Sequence, residues 1–360
     1  MNKSLLNAKK PKVSIILLNL NQLEFTKNCI SSIFKQSYKN FEIILVDNDS
    51  DINPTKEIKS LFPSVKIIRN KKNLGYAGGC ISGYKKLSKT SKYVILINND
   101  IIVERNWLKE LVNRIEEADK PALVASMIKN KSGSKFVPDT NLTMNVIGNL
   151  VSVDELLKFP KSSIPTFFTA MFIFRKDAVP VLFDNSYFAY GEDMWLCWLL
   201  RMKGEKLYRN ANSTIKHFGS QTANKMPLLK VYFSERNRII NLLTFYSAIN
   251  LIKLSPLILL SMLSFNWFNP ITLKGRLKAY FWCIFNFGAI MEKRRTIQKQ
   301  RKISDKEITA YISSKFYSIN NNSNFSLKLI ISIINYITRV YCWLLMIPTL
   351  ESNIKKIRNK

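Results

Sequence analysis

Short acid and amide side chains follow three apolar segments of the sequence, each at the point where the segment ends. They are Asn19 and Asn21 after residues 13–18, Asp47 and Asn48 after residues 41–46, and Asn98, Asn99 and Asp100 after residues 93–97. Such side chains can hydrogen-bond to the base and ribose of a nucleotide, and a carboxylate at Asp100 can hold a divalent cation that bridges a diphosphate. A single cluster of this kind is more often a turn or a helix cap. Three clusters at equivalent positions indicate a shared ligand site.

Two adjacent carboxylates, Glu192 and Asp193, follow an aromatic segment and begin a predicted helix that runs to Arg201. Such a pair often serves only to cap a helix and complement its dipole. A helix N-terminus also stabilises the ionised form, so we expect a low pKa here and a carboxylate that can accept a proton from an attacking hydroxyl group. His217 is the only histidine; a lone histidine is more often a packed structural residue, but the neighbouring Gly219 permits close approach by a phosphate or a metal.

A glycine-rich segment, residues 73–79, begins with Asn73 and contains Gly75, and it lies between a predicted strand and a predicted helix. Glycines at such a place let backbone amides approach an anion at the helix N-terminus. The segment is not a phosphate loop ending in Gly-Lys-Ser/Thr, and it does not follow the first strand as a dinucleotide fingerprint does. ATPases and NAD enzymes are therefore disfavoured.

These residues need a scaffold that brings them together, and the first 130 residues supply one. Short apolar runs alternate with segments whose apolar residues recur every three or four positions, which predicts βαβ units in an α/β domain. The expected strands cover residues 13–18, 41–46, 66–69, 93–97 and 123–126, and the expected helices cover 23–36, 54–61, 78–87 and 106–117. Ligands bind at the carboxyl ends of parallel strands, so the polar residues should line one crevice.

In this order and spacing, the motifs of residues 12–243 resemble family-2 glycosyltransferases of the GT-A fold, in particular their rhamnosyltransferase-like branch. The resemblance implies a mostly parallel Rossmann-like sheet flanked by helices, and an inverting transfer of a sugar from a UDP-, GDP- or dTDP-linked donor to a lipid-linked or cell-surface glycan. It implies Asp193 as the catalytic base, and Mg²⁺ or Mn²⁺ held by Asp100 and His217. The residues that it implies for donor binding are Leu18, Asn19, Asn21, Asp47, Asn48, Asn73, Gly75, Asn98 and Asn99.

The sequence departs from the family pattern in several places. The metal motif keeps one carboxylate instead of two, and Trp195 and Leu199 stand where the family often has Asp and Arg, four residues apart on one helix face. We interpret this pair as apolar repacking, with an altered acceptor pocket as the lesser alternative. Thr169 stands where the family usually has glycine, and Cys80 stands where asparagine is common. The departures leave open an alternative, a degenerate module that binds a nucleotide sugar or serves as a scaffold for glycan assembly.

The character of the sequence changes near residue 235, after which long apolar stretches alternate with basic clusters. The net charge is +30, from 55 Lys and Arg against 25 Asp and Glu, and the last 110 residues carry 18 basic but only 4 acidic residues. In this tail, basic clusters flank apolar segments that contain Trp282, Phe285 and Trp343, a pattern typical of a membrane interface. We therefore predict a catalytic domain at residues 1–235 and a basic, apolar helical region at 236–360.

The expected location is the cytoplasmic face of an anionic membrane, with tail helices lying on the surface instead of spanning it. An ordinary helical subdomain with a basic face is the alternative. Nucleic acid is not an expected partner, since only the net charge favours it and the cations lie beside apolar segments. The five cysteines form no Cys-x-x-Cys pair, and no secretory signal is apparent, so we expect a reducing compartment without disulfides or a thiolate zinc site.

Overall fold

The computed structural model describes residues 10–132, 135–139, 141–167, 171–219, 226–263, 269–319 and 324–358. Thr169 lies outside these ranges. Within them, the N-terminal region contains the predicted alternation of strands and helices, and the predicted strands each overlap an observed one. The α/β class predicted from the apolar periodicity is therefore confirmed.

The first half of the central sheet is parallel. Its strands are β1 (Lys12–Asn19), β2 (Phe41–Asp47), β3 (Lys66–Arg69) and β4 (Ser91–Asn98), joined by helices α1 (Leu23–Phe34), α2 (Thr55–Leu61) and α3 (Gly75–Tyr84). Their spatial order is β4-β1-β2-β3, and Asn19 is in register with Asp47 while Leu18 is in register with Asn98. The carboxyl ends of three strands therefore coincide, as the sequence predicted.

The second half of the sheet is mixed. Its strands and helices are β5 (Ile101–Val103), α4 (Trp107–Ile115), β6 (Leu123–Ser132), β7 (Lys135–Asp139), β8 (Leu142–Met144), β9 (Leu150–Ser152), β10 (Ile164–Pro165), β11 (Phe172–Arg175), α5 (Glu192–Met202) and β12 (Leu207–His217). Strand β11 runs antiparallel between β4 and β6, whereas β12 runs parallel to β6. Strands β8 and β9 form a separate pair.

Both faces of the parallel strands are buried. Ile15 and Leu17 belong to one apolar cluster, which includes residues of α1 and α4, and Ile16 belongs to a second, which includes residues of α3 and α5. Burial on both faces explains why these strands read as continuous apolar runs without alternation. All five cysteines are free and buried.

The C-terminal region is helical. Its helices are α6 (Pro227–Phe245), α7 (Ala248–Met262), α8 (Pro270–Phe285), α9 (Phe287–Gln298), α10 (Asp305–Thr309), α11 (Phe325–Leu344) and α12 (Leu350–Arg358). Helix α6 continues without a break through residue 235, where the composition changes, and residues of α5, α6, α9 and α10 share one apolar cluster. The change in composition therefore coincides with no break in the backbone.

Much of the C-terminal region leaves apolar side chains in contact with solvent. Most of the exposed large hydrophobic residues in the described ranges lie after residue 246, on α7, α8 and α11. Helix α11 buries only Thr338 and Cys342. It is also the one described helix that is long and apolar enough to cross a membrane, a property that length and composition alone confer.

Candidate functional site

The ends of β1, β2 and β4 are tied together by side-chain hydrogen bonds. Asn19 donates from Nδ2 to Asp47 Oδ1 at 2.8 Å, and its Oδ1 accepts from Thr26 Oγ1 at 2.8 Å. Thr26 Oγ1 also accepts from Asn99 Nδ2 at 2.9 Å. Asp47 has no exposed surface, and Arg69 lies 3.7 Å from its second oxygen. Asn19, Asp47 and Asn99 thus brace this edge, and direct contact between Asp47 and a ligand stays a prediction.

A second set of bonds joins this edge to the glycine-rich segment. Asn48 Nδ2 donates to Asn73 Oδ1 and to the Gly75 carbonyl, each at 2.9 Å. Gly75 has φ +71°, and a Cβ there would lie 2.2 Å from the Phe188 carbonyl oxygen, so the position requires glycine. The segment around Phe188 therefore packs directly on the start of α3.

The predicted donor-binding residues differ in how much of each side chain a ligand could reach. Asn21 and Asn73 are exposed, and Leu18 and Asn98 are partly exposed. Asn21 has φ +54°, and its Oδ1 accepts from the Asp51 backbone N–H at 2.8 Å, which fixes its conformation. These four residues are the ones that a ligand can reach at this edge of the sheet. The buried residues Asn19, Asp47, Asn48 and Asn99 hold the edge together behind them.

Asp100 and His217 lie together at the end of this edge. His217 Nε2 is 3.3 Å from Asp100 Oδ2, and His217 Nδ1 is 3.0 Å from Asn130 Oδ1. If Nδ1 donates to the Asn130 oxygen, Nε2 carries a lone pair toward the carboxylate. Asp100 Oδ1 and His217 Nε2 are buried and have no hydrogen-bond partner among the described residues. Electron-rich atoms arranged in this way fit a divalent cation.

The carboxylates of Glu192 and Asp193 begin α5 after a left-handed turn. Tyr190 and Gly191 have φ +65° and φ +81°, and Asp193 Oδ1 accepts from the Met194 N–H at 2.8 Å. Burial raises the pKa of both carboxyls, and the charge on Asp193 raises the pKa of Glu192 further. The expectation of a low pKa was wrong, because the loss of solvation outweighs the helix N-terminus.

The acid pair lies beside the glycine-rich segment. The Ala77 N–H donates to the Phe188 carbonyl at 3.3 Å, three residues before Gly191. Burial raises the pKa of Tyr76, and the charges of Glu192 and Asp193 are among the further causes, so that side chain is close to both acids. The structure thus brings the predicted base next to the predicted donor segment, although the two are more than a hundred residues apart in sequence.

Helix α6 holds the turn before the acid pair, a role that the sequence did not reveal to us. Asn237 Nδ2 donates to the carbonyls of Ala189 and Tyr190 at 2.9 and 2.6 Å, and Asn241 Nδ2 donates to the Gly191 carbonyl at 2.9 Å. Both asparagines are buried. Two asparagines four residues apart on one face of a predicted helix were the available signal, because buried amides need internal partners.

Other contacts fasten the same loop to the C-terminal helices. Arg236 donates to the Ser186 carbonyl at 2.9 Å and lies 4.8 Å from the Trp282 ring of α8. Lys293 of α9 pairs with Asp184 at 3.0 Å. The loop that carries the predicted base is thus held by Arg236 and Lys293, which lie after position 235, and by Ala77, which lies before it.

Trp195 and Leu199 are both buried, and Trp195 packs edge-on against Phe245 of α6 at 6.1 Å. The interpretation of this pair as apolar repacking is confirmed. Cys80 is buried in the same cluster and exposes no group to the site.

Comparison with known proteins gives one family. Residues 14–183 match the family described as "Glycosyl transferase family 2". An uncharacterized glycosyltransferase of Haemophilus influenzae is 31% identical over 128 residues, which cover 33% of this chain and 37% of that protein. The chain therefore matches well under half of that relative's length. The Escherichia coli UDP-Glc:alpha-D-GlcNAc-diphosphoundecaprenol beta-1,3-glucosyltransferase WfgD is 23% identical over 232 residues, covering 61% of this chain and 90% of WfgD.

Solved structures give the same fold. GalNAc-T7 with UDP, GalNAc and Mn²⁺ superposes with a TM-score of 0.56 at 16% identity, over 73% of this chain and 56% of that one. Staphylococcus aureus TarS 1-349 in complex with UDP superposes with a TM-score of 0.52 at 15% identity, over 92% and 87%. At these identities the likeness concerns the fold alone, and it confirms the GT-A-like arrangement of sheet and helices.

Proposed function

Since residues 14–183 of this chain match the family described as "Glycosyl transferase family 2", we propose that the chain transfers a sugar from a nucleoside diphosphate donor to a glycan acceptor, with inversion at the anomeric carbon. One observation carries the proposal: the loop before Glu192 and Asp193 packs on the glycine-rich segment through the Ala77 to Phe188 hydrogen bond of 3.3 Å. A predicted base and a predicted donor site therefore share one edge of the sheet.

In the proposed reaction, Asp193 accepts the proton of the acceptor hydroxyl while that oxygen bonds to the anomeric carbon. The bond from the same carbon to the diphosphate oxygen breaks, and its electron pair leaves with the nucleoside diphosphate. A base works best when its pKa is near the working pH, and burial raises the pKa of Asp193 in that direction. Asn237 and Asn241 orient the carboxylate by fixing the preceding turn.

Asp100 and His217 fit a Mg²⁺ or Mn²⁺ ion, because Asp100 Oδ1 is buried without a partner and His217 Nε2 faces the same carboxylate. No group of three or more His, Cys, Asp or Glu side chains occurs among the described residues that could hold a metal alone. Divalent cations in such sites often take one or two protein ligands together with substrate phosphates. When bound, the ion would offset the charge that develops on the departing diphosphate.

We propose a UDP-linked hexose as the first donor to test, ahead of GDP- and dTDP-linked sugars and of a rhamnosyl donor. Support comes from WfgD, whose name specifies UDP-Glc, and from the UDP in the complexes of GalNAc-T7 and TarS. The exposed Asn21 and Asn73 and the partly exposed Asn98 offer amide groups that can read a nucleobase.

We propose a lipid-linked or cell-surface glycan as acceptor and the cytoplasmic face of an anionic membrane as the location. WfgD is named for an acceptor on diphosphoundecaprenol, and another relative, RfbC of Myxococcus xanthus, for O-antigen biosynthesis. The C-terminal helices add exposed apolar faces to a strong excess of cations, which suits peripheral binding to such a surface.

Three measurements test the proposal. Thermal unfolding with UDP, GDP, dTDP and CMP, each with and without Mn²⁺, should show a metal-dependent rise in melting temperature for one nucleotide, because a ligand of the native state stabilises it by mass action. Transfer to lipid-linked acceptors should then require Asp193, so Asp193→Asn should retain the nucleotide shift and lose transfer by about 10²-fold or more. Wild-type transfer rates in Asp193→Asn would remove that residue as the base. The anomeric configuration of the product, read by NMR, tests inversion.

The alternative, a degenerate nucleotide-sugar-binding or scaffold module, is favoured by the single carboxylate of the metal motif. Nucleotide shifts in folded protein without turnover on any lipid-linked acceptor would support it. Turnover with one such acceptor would exclude it.

A further inference from the structure

A cleft of about 630 Å³ lies where α11 ends, lined by residues of α10, α11, α12 and the connection between α11 and α12. Its walls are fixed by the backbone. The Ile347 N–H donates to the Cys342 carbonyl and the Leu350 N–H to the Ile312 carbonyl, each at 2.8 Å. The side chain of Lys253 holds the Leu345 carbonyl at 2.8 Å. The cleft is therefore a built feature of the fold.

The cleft is positively charged. Lys306 and Arg339 line it, no acidic residue does, and neither cation has an ion pair or hydrogen bond with any residue that the structure describes. The nearest acids along the chain are already engaged. Asp305 binds Arg301 at 2.6 Å and the Ser247 N–H at 2.7 Å, Glu307 accepts from the N–H and the hydroxyl of Ser304, and Glu351 binds Ser313 and Ser314. The two cations are thus left to an external anion.

The rim of the cleft is apolar and open. Tyr336, Trp343 and Met346 are 69%, 74% and 73% exposed, and the exposed face of α11 continues with Ile333 and Ile337. Large apolar side chains with aromatics beside basic residues are typical of segments that lie at the boundary between headgroups and acyl chains. The opposite face of α11 is held to the protein through Thr338 and Cys342.

We propose that this cleft binds the headgroup phosphate of an anionic phospholipid, between Lys306 and Arg339, with the acyl chains against the exposed face of α11. The excess of 18 basic over 4 acidic residues after position 250 makes the surrounding surface complementary to such a bilayer. The site deepens the membrane association put forward under the proposed function and rests on it.

Co-sedimentation with vesicles tests the site. Wild-type protein should bind vesicles of equal parts phosphatidylcholine and phosphatidylglycerol more tightly than vesicles of phosphatidylcholine alone. Lys306→Gln with Arg339→Gln should weaken binding to the mixed vesicles by about 25-fold, since each cation at a membrane surface contributes about fivefold. Lys56→Gln with Lys109→Gln removes the same charge from exposed positions of α2 and α4, and should change binding less than about twofold because of screening.

Three results would overturn the proposal: equal losses in both double variants, equal binding of wild type to both vesicle types, or displacement from vesicles by free glycerol phosphate. Quenching of tryptophan fluorescence by brominated lipid should be present in the wild type and reduced in Trp343→Phe. Unchanged quenching in that variant would also count against the site.

Parallel controls separate this proposal from the enzymatic one. If folded wild type binds no vesicle but keeps its metal-dependent nucleotide shift, the lipid site fails while sugar transfer stands. Self-association in light scattering together with absence of vesicle binding would assign the exposed face of α11 to a second copy instead.

Discussion

The parallel strands and helix α11 have similar apolar sequences and opposite surroundings. Ile15, Ile16 and Leu17 of β1 have no exposed surface, whereas Ile337 of α11 is 58% exposed. The strands have helices packed on both faces, but α11 meets the protein along one side only. Apolar composition therefore predicts that a strand or helix has a face that avoids water. Whether other elements of the protein bury that face depends on how many layers pack against it.

Polar groups differ between the two regions in the same way. At the sheet edge, the side chain of Asn19 donates to Asp47, and that of Asn48 donates to Asn73 and to the Gly75 carbonyl. In the cleft beside α11, Lys306 and Arg339 have no partner among the described residues. The first region therefore satisfies its polar side chains internally, and the second leaves two cations open to solvent.

The largest expected effect contrasts one isoleucine from each region. Ile95→Ala should lower the free energy of unfolding by about 2–5 kcal/mol, because it leaves a cavity in a fully buried strand. Ile337→Ala should change it by less than about 0.5 kcal/mol, since that side chain is exposed, and should instead weaken vesicle binding. Urea unfolding of both variants measures the difference. A large loss for Ile337→Ala would mean that α11 packs against something else in solution.

A substitution at Asn237 of α6 tests whether the C-terminal helices act on the acid pair of the N-terminal region. Asn237→Leu removes the donor to two carbonyls of the turn before Asp193, which should cost about 1–3 kcal/mol of activation free energy, or about 5- to 150-fold in kcat. The KM for the donor should stay nearly constant. Ser234→Ala, on the exposed side of the same helix, is the control. If Asn237→Leu lowers the melting temperature and changes kcat and the KM for the donor together, Asn237 has only a structural role.

The carboxylate of Asp100 separates nucleotide binding from lipid binding. Asp100→Asn should weaken the metal-dependent affinity for the nucleotide by about tenfold or more and leave vesicle binding unchanged, because the two sites share no residue. Isothermal titration with and without Mn²⁺ measures it, with the exposed Asp177→Asn as the matched control. Equal nucleotide affinity with and without metal in the wild type would contradict the role of Asp100.

The smallest effect is a pH dependence confined to one region. Burial raises the pKa of Asp193, so its deprotonated form, and with it kcat/KM, should increase with pH over a range above that of an ordinary carboxylate. Vesicle binding involves no such carboxyl and should stay flat over that range. An activity profile already level at the bottom of the range would show that Asp193 is ionised earlier than its burial implies.

Much of the N-terminal α/β region could be predicted from sequence because its signals are local. The apolar runs and the turn residues that end them fixed the strands, the crossover helices and the edge where Asn19, Asp47 and Asn98 meet. Asp193 and Gly75 were singled out by motif. The positive φ of Gly75 and the close approach of the Phe188 carbonyl explain why that position requires glycine. The pKa of the acid pair could not be predicted, because desolvation depends on side chains such as Tyr76 that the fold brings from elsewhere.

By itself, the sequence determined the α/β class, the order of the polar strand ends, the excess of cations in the tail and the absence of a cysteine framework, since composition and short-range periodicity carry this information. Only the tertiary structure decided that α6 crosses the predicted boundary to hold the turn at Gly191, that Asp100 faces His217, and that Lys306 and Arg339 line the same cleft. These are contacts between residues far apart in sequence, and packing, unlike periodicity, depends on the whole chain at once.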